Sequence, residues 1–198
     1  MNKLFWGFIF VFLNFNIDLG AVRIGLIPTF VGYLLFYAGL SELAEESPRF
    51  EKRRPFCIAM MVYTGIFWVC DFFGLSIIVP PAVSILLSLV SSAFSLYISY
   101  GIVWGIGDIE DSNRYTLLGV ARLKAAWGIM IACSIFCTLC AAAQLTMIVL
   151  LGSAVALVAL ICFLCFFHST KKCYFYMKEK QAREEWKRKQ EEDGTPHI

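Results

Sequence analysis

PAVSILLSLVSSAFSLYISYGIVWGIG, residues 81–107, is the stretch that most constrains the architecture, and it contains no charged side chain. Since about 20 apolar residues are enough to cross the hydrocarbon core of a bilayer, this run predicts a membrane-spanning helix. Its serines recur every three or four residues, which places them along one side of that helix. Small residues let membrane helices approach closely, so we expect this edge to pack against other helices; the alternative is that it lines a polar passage. The serine edge consists of Ser84, Ser88, Ser92, Ser95 and Ser99.

The composition of the chain predicts a membrane domain rather than a water-soluble core. Hydrophobic residues make up 59% of its 198 residues and charged residues 16%, and the mean hydropathy is +0.71. Soluble domains are typically about 45–50% apolar and about 25% charged. The excess of apolar residues therefore favours lipid as the medium that surrounds most of the chain.

Other apolar runs predict the remaining helices of an all-α, polytopic transmembrane bundle of about six helices. The first run, 4–13, is short, so it either crosses the membrane with a polar exit or dips in as a re-entrant segment. The charge-free run 125–167 is long enough for two crossings, and Gln144 and Thr146 mark a turn near its middle. The other two runs are Thr29–Glu46, ended by Ser47-Pro48, and a helix that Pro55 opens and Gly74 ends.

The distribution of basic residues predicts the orientation and the domain boundary. With six crossings and both termini in the cytoplasm, all of the 17 lysines and arginines except Arg23 lie on the inner side, as the positive-inside rule requires. If the first segment only dips into the membrane, Lys3 lies outside as well. Residues 1–170 then form the transmembrane domain, and residues 171–198 form a charged helical tail that continues the last helix into the cytoplasm.

Polar residues near the predicted outer surface form a second group of candidate sites. Asp18, Arg23 and Asp71 are expected to form an ion-pair cap over the bundle, because all three fall near outer helix ends. Asn14 and Asn16 lie toward the same side and would join the serine edge if that edge lines a passage.

Two acidic groups sit at predicted inner helix ends. Glu42, Glu45 and Glu46 share a helical face and could hold a divalent cation, and the second group contains Asp108, Glu110 and Asp111. The favoured interpretation is that both groups balance neighbouring arginines.

No cofactor, metal site or enzymatic activity is predicted. The only histidines are His168, at the inner surface, and His197, near the end of the tail, so a histidine-based hydrolase or metal centre is not expected. The eight cysteines fall in apolar runs or beside basic clusters, where they serve as packing residues. Acidic residues in the tail offset its basic ones, so nucleic-acid binding is not expected.

The beginning of the chain resembles a family. KLFWGFIFVFLNFNI (3–17), followed by LIPTFVGYLLFYAGL (26–40), is similar to a recurrent opening in small, uncharacterised multi-spanning membrane proteins of Gram-positive bacteria. This chain has Asn14 and Thr29 where that pattern has acidic residues. The resemblance implies a bacterial plasma membrane and supplies no activity.

The sequence therefore favours a non-enzymatic membrane scaffold, sensor or partner subunit. Its partners would be the lipid bilayer and either a protein bound through the cytoplasmic tail or further copies of the chain. The alternative is a small uncoupled permease whose passage is lined by the edge from Ser84 to Ser99. A driven transporter would normally carry a carboxylate in mid-membrane, and the apolar runs offer none.

Overall fold

The computed structural model describes residues 1–12, 16–18, 23–25, 28–73, 81–113, 119–142 and 146–193. This part of the chain contains six α-helices, which confirms the predicted number, and one small hairpin of two strands. The elements are α1 Asn2–Phe12, β1 Asn16–Asp18, β2 Arg23–Gly25, α2 Thr29–Glu42, α3 Pro48–Phe72, α4 Pro81–Asn113, α5 Val120–Ala142 and α6 Thr146–Asp193.

The helices pack in chain order, and α6 returns to contact α1. Neighbouring helices run antiparallel, as two contacts show for the first pair: Lys3 near the start of α1 pairs with Glu42 at the end of α2, and the Phe8 ring meets the Phe36 ring edge to face. Helix α6 also runs antiparallel to α1. Lys171 of α6 donates a hydrogen bond to Asn2 at the start of α1, and Phe163, earlier in α6, meets Phe8, later in α1. This alternation brings the start of α1, the turn between α2 and α3, the junction of α4 and α5, and the middle of α6 to one end, which we call the charged end.

The first segment is short, as the sequence indicates. Helix α1 has 11 residues, which is about 16 Å or half of a bilayer's hydrocarbon thickness. The hairpin that follows was not predicted; it pairs Ile17 with Ile24 and lies against α3 through β2. Whether this segment crosses a membrane stays a prediction.

Helix α3 begins earlier than the sequence suggested, so two predicted boundaries were wrong. Pro48 opens α3 instead of only ending α2, and Pro55 lies inside it. Proline is well tolerated in the first turn of a helix, where its missing N–H has no helical partner. Ser47 caps the new start, because its Oγ accepts a hydrogen bond from the backbone N–H of Arg49 at 3.2 Å. Helix α2 ends at Glu42, not Glu46.

Helix α4 continues for two turns beyond its apolar run and ends at Asn113, so the acidic group around Asp108 is helical. The predicted break in the long apolar run is confirmed: α5 ends at Ala142 and α6 begins at Thr146. Helix α6 has 48 residues and a length of about 72 Å. The predicted domain boundary at residue 170 therefore lies within one unbroken helix.

Within the residues that the structure describes, two helices are long and apolar enough to count as candidate membrane spans by length and composition, namely Leu86–Ser112 in α4 and Leu151–Glu191 in α6. The core near the charged end is aromatic and aliphatic: Phe8, Phe36 and Phe163 are fully enclosed, and their rings meet edge to face. The apolar helices thus bury one side and leave another exposed.

Candidate functional site

The charged end is held by ion pairs that connect different helices. Lys3 of α1 pairs with Glu42 of α2, and Arg49 of α3 pairs with Asp108 of α4 at 2.8 Å between Nε and Oδ2. These side chains are a third to a half exposed, so each pair contributes modestly, up to about 1 kcal/mol. One pair joins α1 to α2 and the other joins α3 to α4, so each helps to set the position of two neighbouring helices along their axes.

Glu46 joins the long helix α6 to the turn between α2 and α3. Its carboxylate accepts a hydrogen bond from the Tyr174 hydroxyl at 3.3 Å and forms an ion pair with Lys178. Tyr174 and Met177 are buried. The first two turns beyond residue 170 are therefore bound to the bundle, and the tail begins to project only after them.

Beyond this joint, the tail is an exposed helical arm, which we define as residues 179–193. All its side chains from Ala182 to Glu191 are exposed. Pairs one turn apart support the helix, since Arg183 Nη2 lies 2.6 Å from Glu179 Oε1 and Lys180 Nζ lies 3.9 Å from Glu184 Oε1. Trp186 is 61% exposed, an unusual position for a large aromatic residue on an otherwise charged helix.

Asp108 connects the end of α4 to the start of α3. Its Oδ2 accepts a hydrogen bond from Ser47 Oγ at 2.7 Å, in addition to the ion pair with Arg49. Ser47 is 1% exposed, so this bond satisfies a hydroxyl that has no access to water.

Of the acidic residues predicted to balance neighbouring arginines, Asp108 does pair with an arginine, Arg49. Glu42 and Glu46 pair instead with lysines of other helices, Lys3 and Lys178. Within the described ranges no cluster of histidine, cysteine and acidic side chains could hold a metal ion.

Arg53 is enclosed between α3 and α4, just inside the charged end. It is 8% exposed, its guanidinium carbon lies 4.7 Å from the centre of the Tyr97 ring, and Nη1 donates to the carbonyl of Arg49 at 3.3 Å. Its Nε has no hydrogen-bond partner among the described atoms. Gly101 provides the space for this side chain, because a Cβ there would overlap Arg53 Nε and Cδ.

The serine edge divides into a buried and an exposed part. Ser99 is fully buried, accepts a hydrogen bond from Trp127 Nε1 at 3.1 Å and donates to the carbonyl of Leu96 at 3.0 Å. Ser95 is half-buried, whereas Ser88 and Ser92, farther along the same side of α4, are exposed. The side chain of Ser84 lies outside the described residues.

Trp127 belongs to an aromatic cluster that joins α4 to α5. Its ring lies edge to face with Trp104 at 5.1 Å, and Tyr100 stacks on Trp104 at 4.3 Å. Lys124 Nζ approaches the Trp104 ring at 5.7 Å. The end of the serine edge that bears Ser99 is thus used for helix packing.

The predicted outer cap is described only in its backbone. Asp18 is the register partner of Arg23 in the hairpin, and β2 lies against α3, the helix that contains Asp71. Asn16 pairs in register with Gly25. The side chains of these residues, and all of Asn14, lie outside the described part of the chain.

Sequence reasoning missed the residues that make contacts across helices. Nothing in the linear pattern pairs Glu46 with Tyr174, which lies 128 residues away, or Arg53 with Gly101. The only signal was indirect: Gly101 and Gly105 have the spacing of a close helix contact. Both do make one, since a Cβ at Gly105 would overlap the Phe50 ring.

Comparison with protein-family models, with curated proteins and with solved structures finds no match to this chain.

Proposed function

We propose that this chain is a non-enzymatic polytopic membrane protein that serves as a scaffold, sensor or partner subunit and contacts a cytoplasmic partner through its helical arm. The observation that carries the proposal is the continuity of α6: one helix begins in an apolar segment, is joined to the bundle by Glu46 and ends in the exposed arm. Such a rigid connection couples a membrane domain to whatever binds the arm.

The outward faces of the helices support a membrane setting. Only 28% of the apolar window in α4 and 22% of that in α6 is buried within the chain, whereas the core helix of a water-soluble protein is mostly buried. Helix α3 presents an exposed apolar stripe at helical spacing, formed by Ile58, Val62, Ile66 and Val69. Contiguous exposed apolar surface of this extent is costly in water.

Helix length and charge support several crossings. The parts of α3 and α5 that follow their basic residues, 55–72 and 125–142, have 18 residues each, or about 27 Å, close to the thickness of the hydrocarbon core. Because neighbouring helices of the bundle run antiparallel, basic residues of four helices lie at the charged end: Lys3 of α1, Arg49 of α3, Lys124 of α5 and Lys178 of α6. A bacterial plasma membrane with this end in the cytoplasm satisfies the positive-inside rule.

The described contacts of the serine edge favour packing over transport. Ser99 is buried and accepts a hydrogen bond from Trp127, which uses the described end of the edge for helix packing, whereas Ser88 and Ser92 on the same side of α4 are exposed. The cleft beside this edge, about 100 Å³ between α3 and α4, is lined almost wholly by apolar groups. A wet passage would require polar groups facing one another across a shared space.

Photo-crosslinking tests the proposed contact of the arm. A photoreactive residue placed at Trp186 should give a protein adduct of defined mass in living cells, and the same residue at Leu151, exposed on the apolar part of α6, should give lipid adducts only. Absence of protein adducts at Trp186 and at neighbouring arm positions would contradict the proposal.

A further inference from the structure

A groove of about 410 Å³ runs between α5 and α6 on the outer surface of the bundle. Its floor is made of small side chains, since Ala126 and Ala159 lie where the two helices face each other, and Ile129 and Val158 form its walls. No polar side-chain surface lines its length. Ile129 is 56% and Val158 58% exposed, so nothing in the described chain covers the groove.

One end of the groove carries a positive charge. Arg122, in the first turn of α5, lines this end with the apolar part of its side chain, together with Phe166 of α6. This is also the charged end of the molecule, because Lys124 and Lys171 lie at the same level of α5 and α6. Among the described residues Arg122 is exposed and no hydrogen bond or ion pair to it is found.

We propose that the groove between α5 and α6 binds one anionic phospholipid of the inner leaflet, with its phosphate on Arg122 and an acyl chain along Ala126, Ile129 and Ala159. The inference rests on the proposed membrane setting. The two ends of the groove match the two ends of such a lipid: a guanidinium binds a phosphate in bidentate fashion, and the apolar trough accepts a chain over the 11 to 16 Å that it follows along the two helices. Basic residues at the cytoplasmic side of helix pairs commonly bind anionic headgroups.

A second copy of the chain fits the groove less well. A two-fold interface here would bury Arg122, and no acidic side chain lines the groove to compensate its charge. Burying an unpaired charge is strongly unfavourable. A lipid phosphate supplies the missing charge without any residue of the chain.

Native mass spectrometry of the full chain in detergent, with dioleoylphosphatidylglycerol or dioleoylphosphatidylcholine added, tests the proposal. The wild type should retain one phosphatidylglycerol and no phosphatidylcholine. Arg122→Gln should weaken retention at least about tenfold, the loss expected for a charge-assisted hydrogen bond. Ala159→Phe should abolish retention by filling the trough. Arg188→Gln removes the same charge from the exposed arm and should change nothing.

Three results would overturn the proposal: equal retention of both lipids, retention unchanged in Arg122→Gln and Ala159→Phe, or a dimer that Ala159→Phe alone dissolves. Circular dichroism of each variant checks that the helices are intact, and Ala125→Phe, at an exposed position of the same groove, replaces Ala159→Phe if that variant does not fold. A chain that is monodisperse without detergent would instead contradict the membrane function itself, so the two failures are distinguishable.

Discussion

Arg53 and Gly101 share one space at the contact of α3 with α4, because the arginine side chain lies where a Cβ of residue 101 would be. The arginine is nearly enclosed and is held over Tyr97, so it has little room to move. The two helices can approach this closely only while residue 101 has no side chain. The contact therefore joins the buried side chain of Arg53 to the backbone of Gly101. It could not be predicted from either residue in the sequence.

Gly101→Ala is therefore expected to destabilise the protein by about 1–3 kcal/mol, the usual cost of forcing extra volume into a packed site. Thermal unfolding in detergent measures this as a lower midpoint. The matched control is Gly128→Ala, where an added Cβ meets nothing within 4 Å; there the better helix propensity of alanine predicts no loss. Equal midpoints for the two variants would contradict the close contact.

Asp108→Asn is expected to destabilise the protein by about 1 kcal/mol at the contact between the start of α3 and the end of α4. The substitution removes the charge that pairs with Arg49 and weakens the hydrogen bond from buried Ser47. Asp111→Asn changes the charge equally at an exposed position three residues later and should have no effect. Unfolding midpoints at low and high salt provide the measurement, and the difference between the variants should shrink as salt rises. A difference of the same size at low and high salt would argue against the ion pair, because only the contribution of the Ser47 hydrogen bond is independent of salt.

Ser99→Ala is expected to cost about 1–2 kcal/mol, because the indole N–H of half-buried Trp127 loses its acceptor. Ser92→Ala, at an exposed position on the same side of α4, should leave the stability unchanged. Unfolding midpoints compare the two. If the serine edge were a passage and not a packing surface, the two substitutions would have similar small effects on stability.

Glu46→Gln is expected to loosen the joint between α6 and the α2–α3 turn, since the amide keeps an acceptor for Tyr174 but cannot pair with Lys178. Hydrogen–deuterium exchange should then increase over residues 171–181 while the core helices remain protected. Glu45→Gln, an exposed neighbour, serves as the control. An unchanged exchange rate in Glu46→Gln would show that the joint does not hold the arm.

The helices could be predicted because a long apolar run without charged residues has few alternatives to a helix. The end of α5 and the start of α6 were expected near Gln144 and Thr146, a polar pair in the middle of a charge-free run. The helix boundaries near proline could not be predicted in the same way. Pro48 and Pro55 both suit a first helical turn, and the choice of Pro48 depends on the Ser47 cap and its bond to Asp108, a residue 61 positions away.

The candidate sites were predictable only in part. Ion pairs of Glu42, Glu46 and Asp108 were expected, but with arginines, and two of the three observed partners are lysines of other helices. The partners could not be predicted, because helix rotation decides which side chains meet. Ser92 and Ser99 lie on the same side of α4, yet Ser99 is buried and Ser92 is exposed, because the neighbours of this helix differ along its length. The periodicity of the sequence predicts the shared side but not those neighbours.

Extraction of the membrane fraction tests most directly the central claim that lipid is the solvent of this chain. Membranes from expressing cells are washed with alkaline carbonate and then with detergent, and the chain is followed in each fraction. We expect it to stay in the pellet through the carbonate wash and to be released only by detergent, as a monodisperse species. Release into carbonate, or a monodisperse chain in plain buffer, would contradict the account.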